Sequence, residues 1–83
     1  MAEPHDVAQV VQRICIDTLG YADFGEDEDF FSRGASSLTI VDMQLKIEEA
    51  LGCKAATSEL MLHPSMAGWS RIYRAVAEEL SAG

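Results

Sequence analysis

Residues 29–52 read DFFSRGASSLTIVDMQLKIEEALG, and the second half of this segment has the pattern of an amphipathic helix. Apolar residues recur there at intervals of three and four, which is the spacing of one helical face. Ser36 or Ser37 can cap the first turn, and Gly52 is typical of a residue that ends a helix. We therefore predict a helix from about Ser37 to Leu51.

This helix has two apolar stripes instead of one. The first stripe is the expected core face and consists of Ile40, Met43, Ile47 and Leu51, with Ala50 at its edge. The second stripe consists of Leu38, Val41 and Leu45, and its flanking carboxylates are Asp42, Glu48 and Glu49. Two interpretations remain open. Leu38 and Val41 pack beneath the long loop, or the stripe is exposed and binds a partner groove that is apolar inside and basic at its edge.

A helical period also precedes this segment. Its apolar face consists of Val7, Val10, Val11, Ile14 and Thr18, with Cys15 at the edge. Pro4 suits a first turn, and Gly20 is a natural stop. We predict a first helix from about Glu3 to Leu19.

Two shorter patterns follow the central helix. Residues 53–56 are expected to form an extended connector, and Thr57 or Ser58 to cap a brief helix that runs through Leu62. A His-Pro pair then interrupts the pattern, and Ser65 is placed to cap a last helix. The apolar face of that helix consists of Met66, Trp69, Tyr73, Val76, Ala77 and Leu80.

Residues 20–36 have no clear period and contain five closely spaced carboxylates, Asp23, Glu26, Asp27, Glu28 and Asp29. The glycine and the glutamate that a calcium-binding EF-hand loop requires do not follow, so we expect a solvated acidic loop and no metal site. Three phenylalanines, Phe24, Phe30 and Phe31, can anchor this loop across a helical core. The predicted fold is all-α, a small four-helix bundle of three main helices and one short helix, with a long loop between helices 1 and 2. Residues 1–83 are expected to form a single domain.

The composition is acidic. Asp and Glu outnumber Lys and Arg 14 to 6, and the formal charge is −8. Such a field repels phosphate backbones and anionic lipids, so we expect no nucleic acid and no membrane among the partners, and favour a partner with a basic face. Cys15 and Cys53 are too few for a disulfide framework. Without a membrane span or a secretion signal, the chain is expected to be a cytoplasmic monomer.

The residue types that catalysis requires are sparse. The histidines are His5 and His63, and neither a zinc-binding spacing nor a phosphate-cradling glycine loop occurs. A nucleophilic serine would have to pair Ser37 with His63, and their spacing does not support that pair. We therefore expect no catalytic residue. Ser36 and Ser37 are interpreted as helix caps, or one of them as a modified serine, because a helix N-terminus favours an attached phosphate.

Residues 29–38, DFFSRGASSL, resemble the phosphopantetheine-attachment motif of acyl and peptidyl carrier proteins, in which a D-x-F-F-x-x-G-G-x-S-L-like string precedes the second helix. Residues 39–52 resemble the recognition helix of that family, and residues 60–65, LMLHPS, resemble its short third helix and the H-P-[ST] junction frequent in peptidyl carriers. The likeness covers essentially the whole chain. Two positions depart from it, because Ala35 replaces the second glycine and Ser36 stands where the family usually has Asp or His.

The resemblance implies a 4′-phosphopantetheine on Ser37, which directly precedes Leu38, with Ser36 as the fallback position. A phosphopantetheinyl transferase would attach it from coenzyme A with Mg²⁺. The arm would then carry acyl or aminoacyl groups as thioesters to an adenylating ligase, an acyltransferase or synthase modules of nonribosomal peptide or polyketide biosynthesis. The residues that would face these enzymes are Leu38, Val41, Asp42, Leu45, Glu48 and Glu49.

The carrier itself would perform no chemistry, and with Met1 and no flanking linker we expect a discrete protein. The alternative is an unmodified acidic helical adaptor that binds a partner through the second stripe.

Overall fold

A computed structural model describes residues 6–20 and 23–82, with the backbone alone for residues 81 and 82. The helices are α1 (Val7–Leu19), α2 (Ser37–Leu51), α3 (Thr57–Leu62) and α4 (Met66–Ala82), with a 3-10 turn at Phe31–Arg33. No strand occurs in the described ranges. The prediction of an all-α bundle with three main helices, one short helix and a long loop after the first is confirmed.

The helix ends follow local chemistry in most places. Gly20 and Gly52 end α1 and α2 with left-handed backbone at φ 79° and φ 72°, which glycine adopts without steric cost. The hydroxyl of Ser65 accepts a hydrogen bond of 3.0 Å from the backbone N–H of Gly68, as predicted for the cap of α4. The predicted start of α1 at Glu3 lies outside the described residues.

The predicted cap of α3 is wrong. Ala56 occupies the N-cap position, and no side chain caps this helix. The hydroxyl of Thr57 instead donates a hydrogen bond of 2.9 Å to Oε1 of Gln44 on α2. Thr57 therefore ties α3 to a neighbouring helix instead of closing its own first turn.

Trp69 lies at the centre of the core. Its ring makes edge-to-face contacts with Phe30, at 5.0 Å between centroids, and with Tyr73, at 6.5 Å. Its indole N–H donates to the backbone oxygen of Leu60 at 2.8 Å, so the buried polar atom is satisfied. Helix α1 packs against α2 and α4, and α3 contacts the same two helices.

The long loop is anchored across this core by two phenylalanines. Phe24 and Phe30 are buried, whereas Phe31, also predicted as an anchor, is exposed. The backbone N–H of Phe30 donates to the oxygen of Pro64 at 2.8 Å, and the N–H of Ala67 donates to the oxygen of Glu26 at 2.9 Å. The loop is thus joined to the junction between α3 and α4.

Three side chains differ from the predicted faces, and one polar residue that was assigned to no face is buried. Cys15 is fully buried instead of lying at an edge, because the buried line of α1 follows Val7 and Val11 at intervals of four. On α2, Ala50 is exposed and Gln44 is buried, so the core face of the helix lies nearer to Gln44 than to Ala50. Leu80, predicted on the core face of α4, is 56% exposed. None of the helices in the described ranges is long and apolar enough to cross a membrane.

Candidate functional site

The segment that precedes α2 places two adjacent serines at the start of the helix. Gly34 has φ 95°, a left-handed backbone conformation that is strained for a residue with a side chain. Ala35 has no such requirement, since no residue other than glycine has positive φ in the described ranges, and its methyl group is buried. The replacement of the second glycine by Ala35 is therefore compatible with the local fold.

Ser36 and Ser37 have different roles in this geometry. Ser36 is extended, with φ −99° and ψ 173°, and its Oγ accepts a hydrogen bond of 3.3 Å from the backbone N–H of Thr39. Ser36 also shares a hydrogen bond with the hydroxyl of Thr39 at 3.2 Å. Ser37 is the first residue of α2, is exposed, and has no side-chain hydrogen bond among the described residues. Its hydroxyl is accessible at the positive end of the helix dipole, where a phosphate group is electrostatically favoured.

The second stripe is exposed. Leu38 is 82% exposed, Val41 38% and Leu45 62%, so the interpretation in which Leu38 and Val41 pack beneath the loop is wrong. The three side chains begin one residue after Ser37 and extend about 10 Å along the helix, at a rise of 1.5 Å per residue. An apolar surface of this kind, next to a free hydroxyl, is suited to contact with another protein.

The three predicted flanking carboxylates have unequal surroundings. Asp42 pairs with Lys46 at 3.1 Å, an exposed contact within one helix. Glu49 is exposed and makes no hydrogen bond or ion pair with any described residue. Glu48 is half-buried, and its Oε2 accepts hydrogen bonds from Nε2 of Gln44, the N–H of Ala55 and the hydroxyl of Tyr73, at 3.1, 3.0 and 3.1 Å.

These contacts form a polar cluster that the sequence analysis missed. The Glu48 cluster consists of Gln44, Glu48, Ala55, Thr57 and Tyr73. Gln44 joins it twice, since its Nε2 also donates to the oxygen of Ala55 at 3.2 Å and its Oε1 accepts from Thr57. The cluster connects α2 with the following connector, with α3 and with α4. One signal was present, because Gln44 lies four residues after Ile40 and three before Ile47, in register with the core stripe.

No activated nucleophile emerges from this cluster. Burial, followed by the nearby Glu48 carboxylate, raises the pKa of the Tyr73 hydroxyl far above its ordinary value. The same two causes, in the same order, raise the pKa of the Cys53 thiol. Both groups are therefore neutral near pH 7. His63 is exposed and has no hydrogen bond to Ser37, and His5 lies outside the described residues.

The acidic loop is organised around one cation. Arg33 contacts Oε2 of Glu28 at 2.6 Å and Oδ1 of Asp23 at 3.3 Å, and its guanidinium lies 5.1 Å from the ring centre of Phe24. Asp29 accepts a hydrogen bond from the N–H of Phe31 at 2.7 Å. Within the ranges that the structure covers, no group of three or more His, Cys, Asp or Glu residues could hold a metal ion.

Comparison with known proteins agrees with this geometry. A family model described as the phosphopantetheine attachment site matches residues 9–73, from α1 to Tyr73 of α4. No curated protein and no solved structure matches the chain. Since the family match covers most of the chain and includes both serines, the protein belongs to the phosphopantetheine-attachment family of acyl and peptidyl carrier proteins, whose domain bears a covalent 4′-phosphopantetheine.

Proposed function

We propose that Ser37 is the attachment residue and that the protein carries acyl or aminoacyl intermediates between enzymes of secondary metabolism. The observation that supports Ser37 is the difference in hydrogen bonding between the two serine hydroxyls. The hydroxyl of Ser36 is engaged in capping α2, whereas that of Ser37 is exposed and has no partner in the described part of the chain. A modification at Ser37 therefore leaves the helix cap in place.

Attachment requires only that Ser37 be presented to a transferase. Its Oγ would attack the phosphorus of coenzyme A that bears the pantetheine group, with Mg²⁺ on the phosphates. The serine hydroxyl loses its proton, a new P–O bond forms, and the pyrophosphate bond breaks as the adenosine bisphosphate portion leaves. The carrier contributes a mobile arm and a docking surface, so its mechanism is tethering and a raised effective concentration.

We assign the docking of client enzymes to the second stripe and its acidic flank. The exposure of Leu38, Val41 and Leu45 supports this assignment, and the unpaired carboxylate of Glu49 adds charge at its edge. Expected clients are an adenylating ligase, an acyltransferase or synthase modules with basic docking surfaces. Each client must release the carrier after reaction, so a small interface is appropriate.

A nonribosomal peptide or polyketide pathway is the proposed setting, with the peptidyl type favoured. The sequence of residues 63–65 supports this, because it resembles the H-P-[ST] junction that is frequent in peptidyl carriers. We further propose that residues 1–83 act as one carrier domain, as a monomer in the cytoplasm.

Intact mass spectrometry tests the attachment site. The wild type, Ser37→Ala and Ser36→Ala are incubated with coenzyme A, Mg²⁺ and a broad-specificity phosphopantetheinyl transferase. We expect one phosphopantetheine on the wild type and on Ser36→Ala, and none on Ser37→Ala. A gain on Ser37→Ala but not on Ser36→Ala would move the site to Ser36.

A lack of gain on all three proteins, with a control carrier modified in parallel, would favour the unmodified adaptor. In that case Leu45→Arg should abolish partner binding, and Ser37→Ala should not affect it.

A further inference from the structure

A single cation lies in the acidic segment that precedes α2. Residues 20–36 contain five carboxylates, and Arg33 is the only Lys or Arg residue among them. Carboxylates this close in sequence repel one another, so a cation between them favours a compact loop. Arg33 is placed there, because its Nη1 donates to Oε2 of Glu28 at 2.6 Å and its Nη2 donates to Oδ1 of Asp23 at 3.3 Å.

The contact between Arg33 and Glu28 is the stronger of the two. The side chain of Glu28 is 37% exposed and that of Asp23 86%, so water screens the Glu28 pair less. Glu28 also joins the turn before it, since its Oε1 accepts a hydrogen bond of 2.9 Å from the N–H of Gly25. The guanidinium lies 5.1 Å from the ring centre of Phe24, which is buried. The ion pair therefore closes the loop beside an anchored aromatic ring.

Arg33 also ends the turn that leads to the attachment helix. The carbonyl oxygen of the buried Phe30 accepts hydrogen bonds from the N–H groups of Arg33 and Ala35, at 3.1 Å each. These bonds hold the backbone of the segment, and the ion pair holds its side chain. Ser37 follows four residues after Arg33, at most about 14 Å of extended chain. The orientation of Arg33 therefore bears directly on that of Ser37.

We propose that Arg33 is a positioning residue for the modification of Ser37. Its ion pair with Glu28 holds the segment before α2 in one arrangement, so that Ser37 enters the transferase site in a fixed orientation. Without the ion pair, the segment adopts further arrangements, and only a fraction of the molecules is ready to bind. The KM for the carrier then rises in inverse proportion to that fraction, while kcat is retained. The inference rests on Ser37 as the attachment residue and adds a determinant of its presentation.

Net charge makes a different prediction from the ion pair. Arg33→Gln makes the chain more negative, whereas Glu28→Gln makes it less negative. A long-range attraction to a basic transferase would therefore change in opposite directions in the two variants. Either substitution breaks the ion pair, so the positioning role requires KM to rise in both.

Initial rates of phosphopantetheine attachment test the proposal. They are measured by intact mass with coenzyme A, Mg²⁺ and a broad-specificity transferase over a range of carrier concentrations. We expect Arg33→Gln and Glu28→Gln each to raise KM by about two- to fivefold, the range of a partly exposed ion pair, with kcat nearly unchanged. The double variant should resemble the single ones, because all three lack the same pair. Arg33→Lys should lie between Arg33→Gln and the wild type, since lysine keeps the charge without the planar set of donors.

Arg71→Gln is the matched control. Arg71 is exposed on α4 and makes no hydrogen bond or ion pair with a described residue. Its substitution makes the same change in net charge as Arg33→Gln and should leave KM at the wild-type value. Urea unfolding of each variant separates positioning from stability, because a variant that stays largely folded cannot owe a twofold rise in KM to a loss of folded protein. If Arg33→Gln does not fold, Glu28→Gln and Arg33→Lys provide the same comparison.

Three results would overturn the positioning role. They are opposite effects of Arg33→Gln and Glu28→Gln, equal KM values for Arg33→Gln and Arg71→Gln, and a double variant whose increase is the product of the two single increases. Each of these results leaves the attachment site intact, because the wild type is still modified on Ser37. A wild type that is not modified on Ser37 would instead refute the attachment site.

Discussion

The strongest structural prediction concerns Glu48 and Glu49, adjacent glutamates that are predicted from the sequence to flank the second stripe on opposite sides. Replacing Glu48 with alanine removes the acceptor for the N–H of Ala55 and the hydroxyl of Tyr73. Gln44 retains another acceptor, the backbone oxygen of Ala55. Replacing Glu49 removes no hydrogen bond within the described residues. The two substitutions make the same change in charge and volume, and differ in the contacts that they remove.

The magnitude follows from the two donors that lose their acceptor. A buried donor left without a partner costs about 1–3 kcal/mol. The Tyr73 side chain is fully buried and Ala55 is partly buried. We therefore expect Glu48→Ala to lower the free energy of unfolding by about 2–4 kcal/mol. A domain of this length has a total stability of about 4–12 kcal/mol, so the loss would be a substantial fraction. Glu49→Ala should stay within about 0.5 kcal/mol of the wild type.

Urea unfolding measures both effects, with the fluorescence of the single tryptophan, Trp69, as the signal. Glu48→Gln should lose about 1 kcal/mol, because its amide oxygen still accepts hydrogen bonds without the added strength of a charge. Combining Tyr73→Phe with Glu48→Ala should cost less than the sum of the single losses, since both remove the same hydrogen bond. Equal stabilities of Glu48→Ala and Glu49→Ala would refute the structural role of the Glu48 cluster.

Three further predictions concern single positions. Ser36→Ala should lower the free energy of unfolding by about 0.5–2 kcal/mol through loss of the α2 cap, measured by urea unfolding, while Ser37→Ala should change it far less. Gly34→Ala should cost about 1–2 kcal/mol because its backbone is left-handed, and Ala35→Gly should cost less; the reverse order in thermal unfolding would contradict the assigned conformations. Burial raises the pKa of the Cys15 thiol from 9.0 to about 12, so its contribution to stability is complete below the lower value and is lost as the pH rises through the higher one. Stability should therefore fall by about 1 kcal/mol at about pH 10, and by less in Cys15→Ala.

The parts of the fold that could be predicted are those governed by neighbours in the sequence. Ser36 caps the start of α2 and Gly52 ends the helix, both through contacts within four residues. Both ends of α2 can therefore be predicted from the local sequence. The local pattern also separates the second stripe from the core stripe, but it does not decide whether the second stripe is exposed. The wheel alone left two interpretations open, and the position of the loop decided between them.

The features that escaped prediction depend on distant partners. Thr57 was expected to cap α3, but its hydroxyl is taken by Gln44, thirteen residues earlier. Gln44 is in register with the core stripe, but its polarity alone does not indicate burial. Burial of its amide is tolerated since both ends are satisfied, by Thr57 at one and by Glu48 and Ala55 at the other. The hydrogen bonds that satisfy Gln44 cannot be predicted before the positions of the connector and α3 are known.

Helix α2 thus has a buried face, which stabilises the fold, and an exposed face, which is available to partners. The buried face combines the apolar core with the Glu48 cluster, whose hydrogen bonds fix the connector, α3 and α4 against α2. The exposed face presents the side chains of Leu38, Val41 and Leu45, whereas a stable interface typically has about 20–30 residues on each side. Charge can add specificity for basic partners and raise their association rate, because a net charge of −8 attracts basic surfaces at long range. Binding of client enzymes should consequently weaken with salt, whereas the Glu48 cluster, being internal, should be far less sensitive.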